Sequence, residues 1–132
     1  MTTYYIDTSA FLKLVVAEAH SKALLAHLRQ ADPRLIASDL LAVEALRAAR
    51  RHSPSALKAT RERLSVITTV RLSRSICDRA SELDPAVTRS LDALHLATAL
   101  EIGLQLSGVL TYDKRMAEAA EVVGLPVIAP GL

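Results

Sequence analysis

The stretch Tyr4-Tyr5-Ile6-Asp7-Thr8-Ser9 decides how this chain reads. An apolar run of three residues ends in an acid. A hydroxyl pair then opens a segment in which Phe11, Leu12, Val15 and Val16 recur at helical spacing. Asp7 therefore stands where a strand stops and a helix begins. Asp, Thr and Ser are also ordinary helix N-caps, because their oxygens accept the free N–H groups of the first turn. Capping alone would explain Asp7, unless other acids recur at the same kind of position.

Outward from this stretch, the pattern predicts helices over 9–17 and 21–30, the second capped by Ser21 and broken by Asp32-Pro33. A short strand over 35–37 leads into a helix over 40–51 capped by Ser38-Asp39. Pro54 suits the first turn of a further helix to about 64. The β-branched run 66–70 reads as a strand, and Ser73 opens a helix to about 83. Asp84-Pro85 turns the chain. A strongly apolar helix over 91–102 is closed by Gly103, a strand covers 109–111, and Asp113 starts a last helix ending near Gly124. Residues 126–129 form a terminal strand. Short apolar strands alternating with helices imply one α/β domain over 1–132, a three-layer α/β/α fold with a mainly parallel central sheet.

Composition narrows the function classes. Half the residues are hydrophobic, yet the aromatics are only three Tyr and one Phe, so there is little material for stacking nucleic-acid bases. The formal net charge of +2 neither demands nor forbids a polyanionic partner. Cys77 is alone, which excludes an intrachain disulfide or a cysteine-rich metal knuckle and fits a reducing cytosol. No segment reads as a signal peptide or as a membrane span. The expectation is a soluble cytoplasmic protein with no membrane partner.

Acids do recur where Asp7 leads one to look. In an open parallel sheet, ligands bind outside the carboxyl ends of the strands. Asp113 lies just past the strand ending at Thr111, and it too reads either as a cap or as part of that crevice. Glu44 is bracketed on one helical face by Leu40, Leu41 and Ala48, an unusual place for a carboxylate unless it is paired or metal-bound. An ion pair with Arg47 or Arg51 on the same face is the structural alternative. Asp92 sits in the first turn of the apolar helix, where the helix dipole favours it. Arg89 and Lys114 read as counter-charges, phosphate contacts or solvated surface, and His95 as a satisfied core histidine.

If Asp7, Glu44, Asp92 and Asp113 meet, their repulsion at low dielectric amounts to several kcal/mol in order of magnitude and calls for protons or cations. Oxygen donors without a His or Cys cluster select Mg²⁺ or Mn²⁺ over zinc. Such an ion can ionise a water and stabilise a leaving oxygen, which points to phosphodiester hydrolysis. The basic stretch Arg47, Arg50, Arg51, His52, Lys58, Arg61 and Arg63 adds a modest push toward nucleic acid. A receiver domain needs a phospho-accepting Asp after a central strand, but Val70 is followed by Arg71-Leu72-Ser73. An aspartyl phosphatase needs a second acid two residues after the first, and Asp7-Thr8-Ser9 lacks it.

Four segments together, Tyr5-Ile6-Asp7-Thr8-Ser9-Ala10, Ser38 to Glu44, Leu91-Asp92-Ala93-Leu94-His95-Leu96-Ala97-Thr98-Ala99 and Thr111-Tyr112-Asp113, resemble the PIN-domain nucleases. Their order and spacing look most like the VapC toxins of bacterial toxin–antitoxin modules. The resemblance implies a Rossmann-like fold with Mg²⁺ or Mn²⁺ held by Asp7, Glu44, Asp92 and Asp113, supported by Thr8, Ser9 and Thr111. It also implies an endoribonuclease that shuts down translation, forms homodimers, and is neutralised by a cognate antitoxin lying in an apolar groove near the helix of Glu44. A housekeeping RNA-processing nuclease and a non-catalytic PIN-like RNA- or protein-binding module are the alternatives.

Overall fold

The computed structural model describes residues 1–132. In chain order the elements are β1 (Thr3–Ile6), α1 (Thr8–Val15), α2 (Ser21–Ala31), β2 (Arg34–Ser38), α3 (Asp39–His52), α4 (Pro54–Leu64), β3 (Thr68–Val70), α5 (Arg74–Ser81), α6 (Ser90–Ile102), β4 (Gly108–Leu110), α7 (Lys114–Val122) and β5 (Val127–Ile128). The strands form one sheet in the order β3-β2-β1-β4-β5, and every pairing is parallel. This is the expected α/β/α architecture.

Successive side chains of β1 point to opposite faces, and both faces are covered. Tyr4 and Ile6 pack with Phe11, Leu24 and Leu41 from α1, α2 and α3. Tyr5, between them, joins Val109 of β4 and Ala99 of α6. Phe11, Leu24 and Leu41 are fully buried, and each contributes about 1.5–3 kcal/mol of transfer free energy. Leu96 of α6 packs separately with Met116, Ala119 and Ala120 of α7. Gly108 lets β5 approach closely, since a Cβ there would lie 2.7 Å from Ile128 Cγ1.

The local signals mostly act as read. Ser38, Ser53 and Ser73 cap α3, α4 and α5, accepting from Leu40, Ala56 and Ile76 N–H at 3.2, 3.0 and 3.2 Å. Gly103, at φ +74°, ends α6. Two readings need correcting. Ser21 is the first residue of α2 and not its cap; its hydroxyl donates back to the Val16 carbonyl at 3.2 Å, and His20 at φ +69° holds the cap position. The run 66–70 yields only three strand residues. The Val66 and Ile67 N–H groups are instead taken by the Arg63 and Leu64 carbonyls at 3.2 and 3.3 Å as α4 unwinds.

β1 lies between β2 and β4, and the chain leaves it toward β2 but enters β4 from α6. The crevice of a doubly wound sheet opens at such a reversal, outside the carboxyl ends of the two strands. Asp7 immediately follows β1 at this point, and its N–H donates to the Leu110 carbonyl of β4 at 3.1 Å.

Candidate active site

Asp7 is nearly enclosed, at 3% exposure. Its Oδ1 accepts from the Ala10 N–H at 3.0 Å, capping α1, and from the Ser9 hydroxyl at 2.7 Å. Its Oδ2 accepts from the Thr111 hydroxyl. Thr111 Oγ1 in turn accepts from the Asp113 N–H at 3.1 Å, and Ser9 Oγ accepts from the Tyr112 N–H at 2.9 Å. Ser9 and Thr111 thus lace the loop after β4 to the loop after β1. Burial pushes the Asp7 carboxyl above its ordinary value, and the hydrogen bonds from Thr111, Ala10 and Ser9 offset this only in part. Asp113 caps α7, with Oδ1 accepting from the Arg115 and Met116 N–H groups at 2.9 and 3.1 Å. Both acids are caps, and both caps stand at the crevice.

Glu44, midway along α3, does not pair with Arg47 or Arg51, which are exposed. Its Oε1 accepts from the Thr8 hydroxyl at 2.7 Å and lies 2.8 Å from His95 Nε2. Thr8 is close because it starts α1 directly after Asp7; His95 is brought by α6 from the other side of the sheet. His95 is buried, and its Nδ1 is 2.6 Å from the Tyr5 hydroxyl. With the Glu44 carboxylate as acceptor, Nε2–H is the donor. His95 is the satisfied core histidine that the sequence predicts. The sequence gives no sign, however, that one of its partners is Glu44. What it does show is that His95 follows Asp92 by three residues on a helix and that Tyr5 precedes Asp7 by two.

Asp92 is the third residue of α6, half-buried, and its carboxylate takes part in no hydrogen bond or ion pair. It is therefore not a side-chain cap. Burial pushes its carboxyl up, the charge of Asp113 adds to this, and His95 and Arg89 only partly oppose it. Arg89 and Lys114 are exposed and unpaired. The four acids thus share one edge of the sheet, but as they lie no three His, Cys, Asp or Glu side chains converge closely enough to hold a metal ion.

The model of the PIN domain matches residues 4–122. The chain belongs to the PIN-domain family. Ribonuclease VapC46 of Mycobacterium tuberculosis (strain ATCC 25618 / H37Rv) is 42% identical over 130 residues, covering 98% of this chain and 99% of the relative. Ribonuclease VapC35 of the same species is 40% identical, with 96% of each covered. Among solved structures, Mycobacterium tuberculosis VapC20, a Sarcin-Ricin loop cleaving toxin, superposes with TM-score 0.74 at 18% identity over 96% of this chain and 99% of that one. VapBC2 of Rickettsia felis, bound to a DNA fragment from its promoter, gives TM-score 0.75 at 12% identity over 98% and 99%. At such identities these two structures speak for the fold alone.

Within this PIN domain the donor chemistry suits a hard divalent cation. The crevice offers carboxylate oxygens and hydroxyls; its one histidine already has both ring nitrogens bonded. Asp92 breaks no bond in turning toward such an ion.

The same carboxylates give opposite pH signatures. Burial alone would raise Glu44, but the hydrogen bonds from His95 and Thr8 outweigh it and hold its carboxyl below the ordinary 4.5. A folded value lowered in this way adds stability above the unfolded value, and the gain is lost as pH falls through the folded one. In metal-free protein, Glu44→Gln should therefore have a lower Tm than wild type near neutrality. The difference should shrink as pH falls below the ordinary value and vanish only once the folded carboxyl is itself protonated. Thermal melts of both proteins from pH 7 to 3 test this; a constant difference would mean that Gln merely fits the site worse.

Proposed function

We propose that this protein is a metal-dependent endoribonuclease toxin that hydrolyses RNA phosphodiester bonds, inhibits translation, and is restrained by a cognate antitoxin. What carries the reading is Asp92. A carboxylate with no internal bond, placed beside other acids at the strand reversal, gains only the field of its helix start and is opposed by burial and by its acidic neighbours. The likeness to ribonucleases over nearly the whole chain gives this acid its chemistry.

In this reading Asp7, Glu44, Asp92 and Asp113 hold Mg²⁺ or Mn²⁺. Such an ion, held by these residues, would supply charge neutralisation at the phosphate and would lower the pKa of a water. The chain's own part is preorganisation. Ser9, Ala10 and Thr111 fix the Asp7 carboxylate in one orientation. Thr8 and His95 do the same for Glu44, and the His95 ring is itself held by Tyr5. Oriented ligands do not have to reorganise when charge develops. The exposed basic residues of α3 and α4, Arg47, Arg50, Arg51, His52, Lys58, Arg61 and Arg63, give a surface on which an RNA backbone can lie. No helix is long and apolar enough to cross a membrane. A cytoplasmic homodimer completes the proposal.

Purified protein should cut RNA with Mg²⁺ or Mn²⁺ present and stop when excess EDTA is added. Induced expression should halt incorporation of labelled amino acids before growth stops. Cleavage at full rate in EDTA, from protein shown free of metal, would overturn the metal assignment. Intact RNA at every metal tested would overturn the nuclease reading.

A further inference from the structure

Beside the acidic row lies a cleft of about 460 Å³ between the loop leading into α6 and the outer face of α7. Asp92, one of the four acids, forms part of its wall. Val87 and Val122, which are 88% and 62% exposed, make apolar walls. Arg89 and Arg115 stand at its sides with no ion pair, and Glu118 reaches in from α7, also unpaired. Thr88, in the same wall, has a hydroxyl buried away from solvent with no hydrogen-bond partner.

The geometry points to this cleft as the subsite for one unstacked nucleotide of the RNA, next to the bond that is cut, with Glu118 selecting a guanine base. The inference rests on the ribonuclease reading above and adds which base is taken. The cleft falls within the range of small-ligand pockets, with apolar walls and a few convergent polar groups. Single-stranded RNA is read in this way, by bases splayed out against apolar or guanidinium surfaces. The two exposed arginines supply positive charge for the phosphates on either side. An ionised carboxylate only accepts hydrogen bonds. The Watson–Crick edge of guanine offers it two adjacent donors, N1–H and the 2-amino group. Uracil offers a single N–H flanked by two carbonyl oxygens, which a carboxylate repels. Cytosine and adenine each offer an amino group beside a ring acceptor and rank between.

Two measurements test this, and neither depends on overall rate. Binding of guanosine and uridine 5′-monophosphate to metal-free protein is followed by NMR shifts or calorimetry. Wild type should bind the guanine nucleotide at least about tenfold more tightly, with shifts at Val87, Thr88 and Val122. Glu118→Gln should bring the ratio close to one, because the amide offers a donor as well as an acceptor. Glu118 is exposed on α7, so the variant should fold as wild type by circular dichroism. Equal affinities in wild type, an unchanged ratio in Glu118→Gln, or shifts confined to other surfaces would each overturn the assignment. Cleavage of a randomised single-stranded RNA pool gives the second readout: guanine enrichment at one position beside the cut, lost in Glu118→Gln. If wild type cuts the pool with no base preference there, the subsite is wrong and the nuclease reading stands. If wild type leaves the pool intact but discriminates the two nucleotides, the nuclease reading fails and the subsite stands.

Discussion

Asp92→Asn should abolish RNA cleavage while leaving the metal-free protein as stable as wild type or more so. Groups that merely orient metal ligands are worth about 10–100-fold when lost, so removing a ligand itself should cost more than about 10²-fold. The stability half of the expectation follows from what Asp92 does not do. Its carboxylate accepts no hydrogen bond and forms no ion pair, so the amide leaves no donor orphaned. A carboxylate in the first turn gains about 0.3–1 kcal/mol from the helix dipole. Burial and the charge of Asp113 act the other way, and together they push the carboxyl above its ordinary value. The ionised form is thus disfavoured in the folded state, and neutralising it relieves that cost. Added Mg²⁺ should raise the Tm of wild type, because a ligand that binds only the folded state stabilises it by mass action, and should do so less for Asp92→Asn. The checks are single-turnover cleavage and paired thermal melts with EDTA or Mg²⁺. A fall of several degrees in EDTA would give Asp92 a structural role and remove the main support for the metal site.

Asp7 should divide according to the residue put in its place. Both Asp7→Asn and Asp7→Ala should be inactive, again by more than about 10²-fold. Only the alanine should be unstable. Asparagine caps a helix about as well as aspartate. Its amide group can face Thr111, whose hydroxyl turns from donor to acceptor. It also removes a charge that burial disfavours. With its folded carboxyl raised above 3.8, ionised Asp7 works against folding at neutral pH, and that cost disappears as pH falls below the unfolded value. Asp7→Asn should therefore melt at or above the wild-type temperature near neutrality and lose any advantage in acid. Alanine forfeits the cap, at about 0.5–2 kcal/mol, and strands buried hydroxyls, at about 1–3 kcal/mol. Its Tm should drop by roughly 5–10 °C. Equal melting of the two variants would mean that the Ser9, Ala10 and Thr111 bonds contribute nothing.

Local chemistry explains which parts of this molecule could be read from residues alone. Ser38, Ser53, Pro54, Ser73, Asp113 and Gly103 act within a turn of their own position, and each sits where its type predicts. Ser21 departs from its predicted capping role because its hydroxyl donates to the Val16 carbonyl, a contact set by how α1 and α2 fold back on each other. The run 66–70 gives a shorter strand than its residues predict because β-branched residues favour a pleated surface only where a partner strand exists. β3 is an edge strand beside β2 alone, and the end of α4 claims the first two residues.

Alternating apolar strands and helices, with acids at the ends of the first and fourth strands, determined on their own that this chain is an α/β/α domain with Asp7 and Asp113 each just beyond the carboxyl end of a strand. That follows because periodicity and capping are properties of neighbouring residues. Only the tertiary structure decided that Glu44 answers to Thr8 and His95 and not to its own arginines, that Asp92 is bonded to nothing, and that Glu118 and Thr88 share a cleft with it. Those relations join residues tens of positions apart across the sheet. Strand order and helix packing set them, and no spacing along the chain encodes which of two available partners a carboxylate will meet.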